Sequence, residues 1–391
     1  MHMISPAIAP GLIPGPEISI LLTIALFALI IVFHEFGHFV IAKLAGMRVH
    51  EFSLGFGGPA LLSFKWRGTQ YSLRPVPIGG YVRIAGMEPD EDVPDGFDKK
   101  PILSRLAVIA SGSGMNFLLA VLLFWFIGLA FGKVVGQSSQ LARVLPDTPA
   151  AVAGLAPGDK LVYAQPVPVI APGAEVAPTV EPRKTMDVEE LRSVISDRPD
   201  MPVRIVVLRD KRYLAFRITP RPEKEEAFEP EPNGKGKVVL RTVGRIGVVF
   251  ANMTAPMGFW ESMQSGFVTV YDMTRALIVV LAQTVAGRLP LAVGGPVQIA
   301  DIMADAARVG WQQFLFWSAL ISLNVGVINL LPIPALDGSR LVFIIVEGIR
   351  RRPIDRRKEA MVHLIGFALL ILLLVLVTLK DIVHLIDKYV G

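Results

Sequence analysis

Residues 18–45 read ISILLTIALFALIIVF followed by HEFGHFVIAKLA. Sixteen uncharged, mostly apolar residues, Ile18 to Phe33, run into His34-Glu35-Phe36-Gly37-His38 with no turn signal between them. On a helix, His34 and His38 lie four residues apart on one face, with Glu35 beside them. That spacing lets two imidazoles hold one Zn²⁺ while a neighbouring carboxylate activates water. The motif sits inside a segment long enough to cross a bilayer. Ionisable groups at that depth are costly and mark function. With only six histidines in 391 residues, a chance match to this pattern is rare.

Composition agrees with a membrane setting. The chain is 52% hydrophobic and 19% charged, with a mean hydropathy of +0.52, too apolar for an ordinary soluble protein. A net charge of +5 does not argue for nucleic acid. The absence of cysteine excludes disulfides and thiolate metal sites. Any zinc ligands must be His and carboxylate.

Outward from the motif, residues 1–16 are Pro- and Gly-rich and read as a frayed tail. No Lys or Arg precedes the apolar run, and the run ends in the metal motif, so it reads as a retained span and not as a cleaved signal peptide. From Arg48 to Ile84 the pattern becomes strands and turns. Leu62, Phe64 and Trp66 alternate with polar residues, then Arg67-Gly68, then Tyr71 and Leu73, which predicts a hairpin with one apolar face. Leu106–Gly132 is a second charge-free span, with Gly112, Gly114 and Asn116 allowing close helix packing.

A soluble α+β region follows, with a helix at 188–196, a strand pair at 203–208 and 213–218, a Pro/Ala-rich insertion at 165–183, and a polar linker at 223–237. Asp272 and Arg275 interrupt the apolar stretch 258–287, which is read as an interfacial or re-entrant helix over a full span. Residues 309–336 and 361–379 form the last two spans. Between them lie seven basic residues against Glu347 and Asp355 in Arg340–Lys358, which the positive-inside rule places in the cytoplasm. Counting back through four spans puts 48–100 there as well, and 133–300 with both termini on the other side.

Two histidines leave zinc short of a protein ligand. Asp337 follows the third span in Asn329-Leu-Leu-Pro-Ile-Pro-Ala-Leu-Asp337-Gly338, at the same membrane depth as His34 and His38. An unpaired charge there would cost about 2.5–3.5 kcal/mol. Pro332 and Pro334 break the helix before it. The reading without a metal is a loop Asp pairing with Arg340.

These motifs resemble the site-2 protease family of intramembrane zinc metalloproteases. The resemblance rests on H-E-x-G-H at His34–His38, N-x-x-P-x-P-x-L-D-G at Asn329–Gly338, the G-L-x-P-G-D segment of a bacterial PDZ domain within Pro149–Asp159, and Gly295-Pro296-Val297. It covers about residues 17–380. It implies one Zn²⁺ per chain held by His34, His38 and Asp337, with Glu35 as catalytic base. It also implies substrate contacts from Asn324, Asn329 and the Gly55-Phe56-Gly57 segment. Two departures stand out: Ser111-Gly-Ser-Gly-Met-Asn116 replaces the family's usual Ala-Gly-Pro lead-in, and there is room for one PDZ domain only.

The expected fold is an α-helical polytopic membrane protein with about four transmembrane helices, a membrane-associated β-hairpin or sheet, and one inserted PDZ-like α+β domain. Its parts are 1–47 (tail and first span), 48–101 (cytoplasmic-side β region), 102–132 (second span), 133–222 (PDZ-like domain), 223–308 (linker and interfacial or re-entrant helix), 309–339 (third span with Asp337) and 340–391 (basic loop, fourth span and tail). The expected function is cleavage of membrane-spanning segments of single-pass membrane proteins, such as anti-sigma factors or remnant signal peptides. The expected place is the lipid bilayer of the bacterial cytoplasmic membrane, with the PDZ-like domain on the periplasmic side and no nucleic-acid partner. The alternatives are a PDZ-bearing membrane scaffold and a metal transporter with a non-catalytic zinc site. Glu35 separates them, because only hydrolysis needs a carboxylate beside the first histidine that does not bind the metal.

Overall fold

The computed structural model describes residues 3–4, 16–88, 91, 93–167, 185–230, 236–288 and 295–390. The chain divides into two compact units, Met1–Ala9 with Phe131–Pro256, and Pro10–Ala130 with Met257–Gly391.

The second unit carries the long apolar helices. Helix α1 (Pro16–Leu44) delivers the chain to a four-stranded sheet made by β2 (Val49–Phe56), β3 (Leu62–Trp66), β4 (Thr69–Leu73) and β5 (Val76–Ile84). Strand order is β3-β4-β2-β5, with β2 and β4 parallel and the other pairs antiparallel. The predicted hairpin is β3–β4, with Phe64 opposite Tyr71. It forms one half of a larger sheet that packs on α1 through Phe39 against Phe52 and Tyr71. On the edge strand, Leu62, Phe64 and Trp66 remain exposed.

A 3₁₀ turn (Phe97–Lys99) leads to α2 (Ile102–Phe131). Helices α5 (Phe259–Val285), α6 (Pro296–Val309), α7 (Trp311–Leu330), α8 (Asp337–Arg350) and α9 (Arg356–Val390) complete the unit. Small residues let the helices meet closely. A Cβ at Gly37 of α1 would stand 2.7 Å from the Ser111 carbonyl carbon of α2. Leu26 and Ile30 of α1 pack with Met303 and Ala307 of α6, while α2, α5 and α7 share a core of Val121, Phe124, Val270, Leu323 and Val327. Ion pairs fasten the other end: Arg105 of α2 grips Glu347 of α8 at 2.7 and 3.0 Å, and Arg356 of α9 holds Asp98 at 3.0 Å.

Five helices among the described residues are long and apolar enough to cross a membrane: Leu21–Leu44, Ile102–Phe131, Phe259–Val285, Trp311–Leu330 and Arg356–Ile382. Four match the expected spans; the fifth, α5, is the segment read as interfacial or re-entrant. Two boundaries differ from expectation. The third span does not run through 309–339: it stops at Leu330, and Asp337 opens α8 after a break. The prolines at 332 and 334 explain the break, since neither has an N–H to continue the ladder. The basic stretch 340–358 is mostly helix α8, not loop.

The first unit is built on a six-stranded sheet of order β1-β12-β6-β7-β8-β9. Its strands are β1 (Met3–Ile4), β6 (Lys133–Val144), β7 (Lys160–Pro166), β8 (Val203–Arg209), β9 (Arg212–Ile218) and β12 (Val248–Ala255). Helices α3 (Pro149–Val152) and α4 (Val188–Ser196) accompany it, the latter opened by an Asp187/Glu190 capping box. Leu141, Leu161, Leu191, Ile205 and Ile218 form its core. Asp159 is fully buried and chelated by Arg209 at 2.6 and 2.7 Å.

The 223–237 segment is a correction. In place of a linker, β10 (Arg221–Pro230) and β11 (Gly236–Arg245) pair antiparallel from Arg221↔Arg245 to Pro230↔Gly236. Alternating charge hid the strands: Glu223 and Glu225 on one strand face Arg245 on the other, so cross-strand ion pairs do what apolar alternation does elsewhere. The unit therefore runs on to residue 256, beyond the 222 expected. Of the tail expected to be frayed, Met3–Ile4 pairs with β12, and the rest up to residue 15 lies outside the described residues. Most of the 165–183 insertion also lies outside them; Gln165 and Pro166 end β7.

Candidate metal centre

Three side chains from two distant parts of the second unit converge. His34 Nε2 lies 2.9 Å from Asp337 Oδ2, His38 Nε2 lies 3.1 Å from the same oxygen, and the two Nε2 atoms are 3.2 Å apart. Both histidines are buried and Asp337 is half-buried. Helix α1 stacks the two rings one turn apart, and the first turn of α8 brings in the carboxylate.

Three lone-pair atoms this close repel one another unless a proton or a metal cation lies between them. Around a tetrahedral Zn²⁺ with bonds of 2.0–2.1 Å, ligand atoms are about 3.3–3.4 Å apart. The observed separations match within a few tenths of an ångström, and two imidazoles with one carboxylate are a zinc donor set that leaves a fourth position open. The residues present therefore fit the metal.

Helix α2 supports both rings. The His38 Nδ1–H donates to the Val108 carbonyl at 2.8 Å, which leaves Nε2 bare. His34 Nδ1 faces the Asn116 carboxamide at 3.2 Å. Between these partners Gly112 makes room: a Cβ there would stand 2.6 Å from His38 Cε1 and 2.8 Å from His34 Cε1. Asp337 is supported from α9. Ala335, held at a left-handed φ of 80°, donates its N–H to His363 Nδ1 at 3.3 Å, and Pro334 packs against Gly366.

Glu35 lies beside the three, together with His38 and Asp337 on the wall of a cavity of about 560 Å³. The Val82 backbone of β5 hydrogen-bonds its carboxylate. Gly80 of the same strand faces its Cγ. Arg340, Arg356, Glu359 and His363 also line the cavity and add polar groups to its wall.

The remaining predicted residues are not brought into this cavity. Asn324 and Asn329 are half-buried on α7, and neither lines it. Gly55 and Phe56 end β2 and Gly57 follows it; Phe56 is exposed and packs across Gly79. The strand that meets Glu35 is β5. The sequence reading took Gly112 and Asn116 only as packing residues and missed Val82 and His363. A Gly and an Asn four apart in a charge-free span, matching the spacing of the two histidines, was the signal for the first pair.

The chain is similar to proteins described as zinc metalloproteases. The chain is 29% identical to "Regulator of sigma-W protease RasP" of Bacillus subtilis (strain 168), over 94% of this chain and 99% of the relative. It is 30% identical to "Zinc metalloprotease RasP" of Geobacillus kaustophilus (strain HTA426), over 93% and 97%. It is 31% identical to "Putative zinc metalloprotease all3971" of Nostoc sp., over 93% and 95%. Residues 22–373 match Peptidase family M50, and a match of that extent makes the chain a member of this family.

Proposed function

We propose that the protein is a zinc metalloprotease that hydrolyses peptide bonds within or beside membrane-spanning segments of other proteins, anti-sigma factors among them. The convergence of His34, His38 and Asp337 on one point, with Glu35 beside it inside a bundle of apolar helices, carries this reading. When bound, zinc supplies Lewis-acid activation of water and of the scissile carbonyl. His34, His38 and Asp337 hold it. Glu35, steadied by the Val82 N–H, takes a proton from the attacking water and delivers it to the leaving amine nitrogen. A scaffold or transport site has no use for that carboxylate.

A helical substrate has every amide bonded internally and must be unwound before its carbonyl can be attacked. β5 supports the next step, because it is a sheet edge lying against Glu35. An extended substrate adds to that edge, with main-chain hydrogen bonds replacing those lost from its helix. The Gly55-Phe56-Gly57 segment and Asn324 and Asn329 take the flanking parts of the substrate.

The site lies toward the cytoplasmic face of a bacterial cytoplasmic membrane. The basic residues of α8 and the start of α9 support that orientation, and the PDZ-like first unit then sits outside and controls access. Four spans suffice. Gly295 and Gln298 donate backbone N–H groups to Asp381, 25 residues and about 37 Å along α9 from Arg356. The seven peptide steps from Arg288 to Gly295 reach at most about 25 Å, short of the roughly 30 Å hydrocarbon layer. That short connection supports the reading of helix α5 as interfacial or re-entrant.

Glu35→Gln tests the chemistry. The full-length variant should bind about one zinc per chain yet cleave nothing, whereas Asp337→Asn should lose zinc, since a neutral amide is a poor ligand. Cleavage by Glu35→Gln, or undiminished zinc in Asp337→Asn, would remove those roles.

A further inference from the structure

A histidine that gives Nε2 to a metal must carry its proton on Nδ1, and that N–H needs an acceptor. His38 has one in the Val108 carbonyl. The partner of His34 is Asn116, whose side chain is fully buried on α2. Its backbone is tied down as well: Ser322 Oγ of α7 donates to the Asn116 carbonyl at 2.9 Å.

The Asn116 carboxamide has two ends of nearly equal shape, and which one meets His34 decides the ring's tautomer. With Nδ2 toward Nδ1 at 3.2 Å, the amide donates. The imidazole proton then sits on Nε2 and points at Asp337 and His38, an arrangement that suits the metal-free centre. Oδ1 is meanwhile a buried acceptor with no hydrogen-bond partner among the described residues. A half-turn of the carboxamide puts Oδ1 on the Nδ1–H and leaves Nε2 bare toward Asp337.

We infer that Asn116 is the positioning residue for His34: its Oδ1 holds the ring in the Nδ1–H tautomer that frees Nε2 for zinc. The inference rests on the zinc reading above and adds to it. Asparagine serves both states of the centre, donating when the metal is absent and accepting when it is present. A carboxylate in its place can only accept, and an apolar side chain does neither.

The test is zinc affinity, by chelator competition, of the full-length protein in detergent micelles, comparing wild type, Asn116→Leu and Asn116→Asp. Asn116→Leu should bind zinc about 10–100-fold more weakly. Asn116→Asp, of the same shape, should bind as tightly as wild type or tighter. Thermal unfolding of the zinc-free forms separates this from packing. A purely structural Asn116 would lower zinc-free stability in both variants and leave the zinc affinities equal, which would overturn the proposal. Wild-type affinity in Asn116→Leu would also overturn it. If Asn116→Leu does not fold, Asn116→Ala takes its place with the same expectation, and a loss of about tenfold or more in Asn116→Asp would overturn the proposal, because it would mean that His34 needs a donor. Failure of the wild type to bind zinc would sink the metalloprotease reading itself, a distinct outcome from zinc-loaded wild type with indifferent variants.

Discussion

Adding one methyl group to Gly112 should disable the metal centre without unfolding the protein. The new Cβ would stand 2.6 Å from His38 Cε1 and 2.8 Å from His34 Cε1. Ordinary carbon contacts begin near 3.5 Å, so each ring must withdraw by about 0.7–0.9 Å. Zinc bonds tolerate about 0.2 Å. The helices have little freedom to separate, because α2 is bonded to α7 where Ser322 meets the Asn116 carbonyl. Misplacement on this scale costs on the order of 100-fold in rate, and a comparable loss of zinc affinity is expected. Gly114→Ala is the matched control, since a Cβ there meets nothing within 4 Å. Both changes favour helix by up to about 1 kcal/mol, so a difference between them cannot come from helix propensity. Chelator competition gives the affinities, and thermal unfolding with and without zinc shows that both variants are folded. Zinc binding by Gly112→Ala within about threefold of wild type would refute the steric argument.

Two further outcomes are expected. Lys133 and Ala255 are paired neighbours, so replacing residues 133–255 with a short Gly/Ser linker should retain zinc and the cleavage of an already shortened substrate; a folded, zinc-bound but inactive product would show that the first unit does more than control access. Burial alone would raise the Glu51 carboxyl, but hydrogen bonds from Ser72, Arg74 and Tyr81 outweigh it and hold it below the usual carboxylate range. A depressed folded-state value stabilises above the unfolded pKa, about 4.3, and the benefit is lost as pH falls through the folded value. Glu51→Gln should therefore lower the unfolding midpoint at pH 7, with the gap to wild type closing in acid; a gap that does not change with pH would mean that the Glu51 charge is unimportant.

The metal centre was legible because its residues are chemically unusual where they occur. Two histidines at helical spacing and an aspartate after two prolines stand out against apolar spans, and the structure brings all three together across the chain. Their supporting groups were hidden for the opposite reason. Val108 contributes a backbone carbonyl, which no side chain announces, and Gly112 contributes the absence of one. Asn116 looked like helix glue because both roles call for a small amide in an apolar span. The β10–β11 ribbon was missed because Glu223, Glu225 and Arg245 stabilise it through charge, and a charged run between apolar segments reads as a linker. Ala335 gave no signal at all: its left-handed backbone becomes intelligible only once His363 is seen accepting its N–H.

That last contact shows how the third ligand is aimed. Pro332 and Pro334 have no N–H to give, so few backbone bonds can fix the loop before Asp337. Ile333 bonds back to Leu331 and Leu336 to Ile333, closing the chain on itself without tying it to a neighbour. Ala335 makes the tie, to His363, and Pro334 seats in the gap left by Gly366, three residues further along α9 and on the same face. The carboxylate of Asp337 is thus set by α9, the two imidazoles by α1, and the rings' backing by α2. Helix α9 exposes Leu369, Leu372 and Leu376 away from the cavity and could pass for a plain membrane anchor. Its inner face makes it part of the metal centre, since any displacement of α9 relative to α1 moves Asp337 against His34 and His38.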